Sequence, residues 1–291
     1  MRKKIMDFIS RGIVMIAALF VTALMILMLG HIVKESLPAL KEIGIKMFQV
    51  DSEWRPVSQN PQYGLLPAIT GTLYVSALAV ILALILGIGC ACFLNFYLPD
   101  KLASLLLSFI DLVAGIPSVI FGFIGLTVLV KQFGVIFKMP AGQCVLAASI
   151  VLGIMLLPFV ISTCNESIQN AREKYELTAL ALGFSKEIVI IRIIFPAIRS
   201  GIIASAMMAF GRALGETMAV MMVIGNSPIY PKLFGRAQTL PALTALEMGS
   251  IEYGSMHLSV LYTANLVLLV IVAITMGVGY FFKRRFLKNE A

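Results

Sequence analysis

The chain has 291 residues, of which 59% are hydrophobic and only 13% charged, and its mean hydropathy is +0.96. A water-soluble domain carries about 25% charged residues, so lipid is the solvent that fits this composition and a soluble domain is excluded. The net charge of +8 does not point to nucleic acid, because the basic residues cluster beside apolar stretches and no long basic tract or aromatic-basic platform occurs.

Several apolar stretches reach the roughly 20 residues that a helix needs to cross a bilayer. In chain order they predict an all-α, polytopic membrane protein with six transmembrane helices, near 12–33, 70–98, 103–130, 142–164, 197–226 and 258–282. The first follows the basic start MRKKIMDFISRG. Its apolar run from Gly12 to Val33 is longer than a signal-peptide core of about 7–15 residues, and no small-residue cleavage site follows, so it reads as an uncleaved span. A connection over 34–69 contains the turn-forming SEWRPVSQNPQYGLLP, whose Trp54 is expected to pack at the interface.

The second span holds Cys90 and Cys92. With Cys144 and Cys164 they read as small buried apolar residues, and neither a disulfide nor a metal site is expected. Pro117 interrupts the third span, and Asp111 lies within that span just ahead of AGIPS. The second, third and fifth stretches are long enough to imply tilt or kinks. A third connection, 227–257, is predicted to hold a short interfacial helix from Leu240 to Met248. His31 and His257 fall near span ends, and the sixteen methionines read as core filler.

Lysines and arginines number fourteen on one side of these spans and eight on the other. That bias predicts both termini in the cytoplasm and a single transmembrane domain over 1–291, with 165–196 as its one long cytoplasmic loop.

That loop has an internal logic. Ser167 to Leu182 is rich in alanine, leucine and charged residues, which favours helix. Gly183 occupies the position of a helix C-cap, Ser185 can cap a new helix, and Pro196 is expected to end it. A helix–glycine–helix between two spans suits docking into a groove on a soluble partner. It equally suits an amphipathic segment lying on the membrane surface.

In the fifth span, GRALGETMAV places Arg212 and Glu216 four residues apart, on one face of a continuous helix. A charge at the bilayer centre costs at least about 2.5–3.5 kcal/mol on insertion scales and usually faces the bundle interior. One reading is an anion path: the planar arginine fork suits the oxygens of an anion, with Glu216 neutralising Arg212 when no anion is present. The other is a structural ion pair, with the G-x-x-x-G of Gly211 and Gly215 and the small Ala209 and Ala213 serving helix packing. Asp111 and the Thr217 hydroxyl are further candidate path groups.

The loop resembles the cytoplasmic EAA loop of ABC-transporter permeases. Gly183, Ile193, Phe195 and Pro196 match the family's glycine, nine residues and I-x-L-P, with Phe195 in place of leucine. The family's glutamate falls where this chain has Leu177, and Glu176 stands one place earlier. SEWRPV…YGLLPAITGTLYVS, AGIPSVIFGFIGL, GRALGETMAVMMVIGN, AQTLPALTALEM and MHLSVLYTANLVL, in that order over about 50–285, resemble phosphate ABC-transporter permeases of the PstC type.

The resemblance implies a type I ABC importer permease fold and a non-enzymatic transport subunit for inorganic phosphate. It implies a heterodimer with a second permease, two copies of a cytoplasmic ATPase and an extracytoplasmic phosphate-binding protein. It also implies a coupling role for Glu176, Ala179, Gly183 and Pro196. No G-x-x-x-x-G-K-[ST] loop occurs, so ATP and Mg²⁺ are expected on the partner ATPase, with no cofactor in this chain. The rivals are an ion-coupled secondary transporter relaying through Asp111, Arg212 and Glu216, and a membrane-embedded enzyme, for which H-E-x-x-H and G-x-S-x-G are missing.

Overall fold

The computed structural model describes residues 2–249 and 251–288, with side chains placed over 11–249 and 251–281. The terminal basic residues Arg2, Lys3, Lys4, Lys283, Arg284, Arg285 and Lys288, used above for orientation, lie outside those side chains. Twelve helices are formed by these residues: α1 (Arg2–Glu42), α2 (Leu66–Phe96), α3 (Asp100–Ala114), α4 (Ser118–Ile124), α5 (Lys131–Ile136), α6 (Val145–Ala181), α7 (Lys186–Ile188), α8 (Phe195–Ala197), α9 (Arg199–Leu214), α10 (Met218–Ile224), α11 (Leu240–Glu247) and α12 (Met256–Lys288). Between α1 and α2 a two-residue hairpin pairs β1 (Trp54–Arg55) with β2 (Gln62–Tyr63), antiparallel, Trp54 opposite Tyr63. Among the described residues five helices are long and apolar enough to cross a membrane, and a sixth span results if the bent pair Lys186–Ala197 and Arg199–Leu214 is one.

α1 and α12 run antiparallel. The Ser259 hydroxyl donates to the Glu35 carbonyl at 2.6 Å and accepts from the Ala39 amide at 3.1 Å, while His31 Nε2 and the Tyr262 hydroxyl lie 3.3 Å apart. The beginning of α1 and the end of α12 therefore share one side, the terminal face, and the hairpin marks the opposite one. Small residues set the central packing, because in lipid helices associate by close van der Waals approach. A Cβ on Gly87 of α2 would sit 2.6 Å from Val160 of α6, and one on Gly153 of α6 would sit 3.2 Å from the Ala79 carbonyl.

On the hairpin face a second core gathers Met47, Trp54, Leu65, Leu240, Leu243 and Leu261. Trp54 Nε1 donates to Glu247 Oε1 at 2.9 Å, and His257 Nε2 lies 2.7 Å from Glu247 Oε2. α11 is the short helix expected near 240–248, capped at its start by the Thr239 hydroxyl.

Three spans depart from the sequence reading. The stretch 103–130 is not one helix: α3 stops at Ala114, and Pro117 precedes α4 in extended backbone. A proline forces its predecessor out of the helical region, and hydropathy alone does not register that break. The crossing rod is instead Ser118–Ile136, with a π-turn over Gly125–Val130. The helix of the fourth span does not stop near 164: α6 runs unbroken to Ala181, so the span and the helix expected over 167–182 are one rod. The fifth stretch is interrupted at Gly215 and is entered through a 58° bend at Ile198. The helix expected to end at Pro196 ends one residue later, at Ala197, directly before the bend.

Candidate functional site

The break in the fifth span decides the geometry of its charges. α9 ends at Leu214, Gly215 caps it, and Thr217 precedes α10. Glu216 thus belongs to neither helix, and its Oε1 accepts from the Ala219 amide at 3.1 Å. It caps α10. Arg212 sits in the last turn of α9, exposed, with no side-chain partner among the described residues. The expected Arg212–Glu216 ion pair is therefore not formed, because the two residues do not share a continuous helix.

Arg212 lies deep in the span. Thr163 and Ser205 hydroxyls are 2.6 Å apart, and a Cβ on Gly201 would sit 2.3 Å from Ser167 Oγ, so α9 runs antiparallel along α6. Thr163 is eighteen residues from Val145, about 27 Å at 1.5 Å per residue. Arg212 is seven residues beyond Ser205, about 10 Å back toward the hairpin face. Its level is roughly 17 Å from the start of α6, well inside the apolar length of that helix. Ala209 and Ala213 are buried in the fold, while Met208 and Arg212, one turn apart, lie on the open side of α9.

Only the first glycine of the expected G-x-x-x-G packing motif lies at a helix contact, that of α9 with α12. A Cβ on Gly215 would find nothing closer than the Arg212 carbonyl at 3.9 Å, and one on Gly211 would touch only Met276, at 3.2 Å. The tight contact is made by Gly122 of α4, whose Cβ would lie 2.9 Å from both Ala219 Cα and Met222 Sδ of α10. α10 ends at Gly225 (φ +91°), followed by Asn226 at φ +46°.

Asp111 is not inside a crossing helix. It lies on α3, which buries no side chain, and accepts from the Ser162 hydroxyl at 3.2 Å. Level with Ser162, it is about 9 Å nearer the terminal face than Arg212. The Thr217 hydroxyl is at the break, 3.4 Å from the Gly215 carbonyl. A proton or ion relay through Asp111, Arg212 and Glu216 thus finds its three charges held apart.

On the terminal face, Gly183 (φ +85°) closes α6 as sequence reasoning expects. The Phe184 amide donates to the Ala179 carbonyl at 3.2 Å and the Gly183 amide to the Leu180 carbonyl at 3.0 Å, the paired bonds of a Schellman turn. Ser185 then caps α7. Ala179 is buried, whereas Leu177 and Leu182 are 80% and 72% exposed, with Phe184 and Ile188 also open. Glu176 does not point outward: it pairs with Arg172 Nε at 2.8 Å. Residues 176–183 thus form a turn on the terminal face, remote from Arg212, while Pro196 lies in the separate short helix α8.

Four polar residues of this face were not anticipated. Arg172 also donates to the Asn95 carbonyl, Lys186 donates to the Phe96 carbonyl, and Asn95 Nδ2 donates to Asn165 Oδ1 at 2.7 Å. The available signal was indirect: α2 ends without a basic residue in its last turn, so the cations for its C-terminus had to come from elsewhere.

These features define a polytopic membrane protein built on a broken central span, with an apolar protrusion on the terminal face. The chain belongs to the family of binding-protein-dependent transport system inner membrane components, which matches residues 83–288, and is a transport component rather than an enzyme. It is 36% identical to the probable phosphate transport system permease protein PstC of Methanocaldococcus jannaschii, over 94% of this chain and 92% of that one. It is 33% identical to the phosphate transport system permease protein PstC of Mesorhizobium japonicum (85% and 80%), and 36% identical to the probable ABC transporter permease protein YqgH of Bacillus subtilis (77% and 72%). A chain of the MetNI methionine ABC transporter, solved in inward-facing conformations, superposes with a TM-score of 0.60 at 17% identity, covering 76% of this chain and 95% of that one. The fold is that of a type I ABC importer permease.

Proposed function

We propose that this chain is the permease subunit of an ATP-driven importer of inorganic phosphate. The observation that carries the substrate is the match, along nearly the whole length, to relatives named phosphate permeases. Arg212 supports an anion path. A lone charge deep in an apolar span cannot face lipid cheaply, and the open side of α9 is where a second, homologous permease would close a channel around it. Arg212 attracts the anion, and the Thr217 hydroxyl supplies a neutral partner at the break. Glu216 and Asp111 keep the path from holding the anion too tightly to release it.

The terminal face is the cytoplasmic one, with both termini on it. Its exposed Leu177, Leu182, Phe184 and Ile188 are the docking surface for one copy of an ATPase pair that binds ATP and Mg²⁺. Glu176, Ala179, Gly183 and Pro196 shape that surface. An extracytoplasmic phosphate-binding protein delivers substrate at the hairpin face. The test is reconstitution with a second permease, the ATPase and the binding protein in vesicles. Phosphate-loaded binding protein should stimulate ATP hydrolysis and uptake, whereas a sulfate-stimulated complex would overturn the substrate.

A further inference from the structure

The cytoplasmic end of α2 is capped by side chains from a single distant stretch of sequence. A helix C-terminus exposes orphan carbonyls and about half a negative charge, and the last turn of α2 contains no cation of its own. Arg172, on α6, donates through Nη1 to the Asn95 carbonyl, and its guanidinium carbon lies 5.2 Å from the Phe96 ring centre. Its Nε is meanwhile held by Glu176 at 2.8 Å. Lys186, the first residue of α7, donates to the next carbonyl, that of Phe96, with Nζ 5.8 Å from the Tyr97 ring centre. The side chain of Asn95 is itself buried and bonded to Asn165 of α6.

Arg172 precedes the Gly183 turn and Lys186 follows it. Two arms of one turn are thus fastened to consecutive carbonyls of one helix. The turn cannot rotate without breaking one bond or taking α2 with it. Toward α9 the same segment passes through a π-turn (Val189–Ile194) and the 58° bend.

We infer that Arg172 and Lys186 tie α2 to the ATPase-docking segment, so that movement of the docked ATPase is delivered to α2 and α6 as one body while the angle to α9 changes at the bend. Both are positioning residues: neither touches phosphate or nucleotide. The inference rests on the docking role proposed above for residues 176–183. Alternating access needs an element with discrete arrangements that nucleotide binding biases, and this clamp specifies which helices move together.

The test uses the whole importer in vesicles, comparing Arg172→Met, Lys186→Met, the double variant and the conservative Arg172→Lys. The readouts are ATPase retained on the purified complex, ATP hydrolysed, and phosphate moved per ATP. The double variant should keep its ATPase and hydrolyse ATP while phosphate moved per ATP falls about ten-fold, the scale of coupling that mutations along a packed network change. Each single variant should fall less, with Arg172→Lys closest to the parent. An unchanged phosphate-to-ATP ratio in the double variant would overturn the clamp. So would loss of the ATPase from it, since the two residues would then only shape the docking surface. The single Lys186→Met, which removes one bond from an exposed side chain, keeps the test decisive if the double variant fails to accumulate: a parental ratio there counts against the clamp. Failure of the docking role shows up separately, as an ATPase that stays bound and coupled when the exposed Leu177 and Leu182 are replaced by aspartate.

Discussion

Glu216 Oε1 accepts from the Ala219 amide at 3.1 Å and so caps the helix that follows it, leaving Arg212, four residues earlier, without a carboxylate among the described residues. The i,i+4 spacing brings side chains together only where the helix is continuous, and here it ends at Leu214. The glutamate stabilises a seven-residue helix by satisfying one of its free amides. The arginine is left available.

A double-mutant cycle separates these roles. Glu216→Ala should lower the thermal stability of the purified protein by about 1 kcal/mol, the usual cost of losing a cap, and Arg212→Ala should change it by less than about 0.5 kcal/mol. The two should add to within about 0.5 kcal/mol. An interaction energy above about 1 kcal/mol would restore the ion pair.

Packing of the broken span makes a second, opposed pair of expectations. Gly122→Ala brings a Cβ to 2.9 Å from the Ala219 backbone, and overpacking of this kind costs about 1–3 kcal/mol. Gly215→Ala meets open space at φ −90° and should stay within about 0.5 kcal/mol of the parent. Thermal unfolding of the two variants checks this. Equal sensitivity at both positions would return the packing role to the G-x-x-x-G.

Much of this is legible in the sequence. Apolar length gave the crossing helices because the bilayer imposes it, and Gly183 and Ser185 announced the turn of the docking segment through backbone conformation and capping. What hydropathy could not register was where apolar runs break. Pro117 announced the first break as a residue type, but not that α3, and Asp111 with it, would leave the crossing rod, and Gly215 split the fifth stretch with no such signal. The Arg172 and Lys186 clamp was hidden for a different reason. It joins residues 77 and 90 positions apart, and no local pattern specifies which helix end a distant cation will cap.

Gly183 gives a prediction in which conformation, not size, is decisive. Nothing lies within 4 Å of a Cβ built there, yet φ is +85°, a region that L-residues enter at a cost of about 1–2 kcal/mol. Asparagine, which tolerates that region better, should retain ATPase binding and coupled uptake close to the parent. Valine, β-branched, should weaken both even though it has room. Co-purification of the ATPase with each variant is the measurement, and a valine variant that binds it normally would show that the turn is not needed.

Arg212 carries the last expectation. If it meets phosphate in transit, Arg212→Ala should leave the complex assembled and its ATPase bound while uptake falls at least about ten-fold, since hydrogen bonds to charged groups contribute about 1.5–3 kcal/mol and about 1.4 kcal/mol is a factor of ten. Arg212→Lys keeps the charge and loses the planar fork, so its uptake should fall between the two. Stability should be near parental in both, because Arg212 has no side-chain partner among the described residues. If alanine instead prevents the second permease from associating, the arginine is an interface residue, and the anion path must be sought elsewhere along α9 and α10.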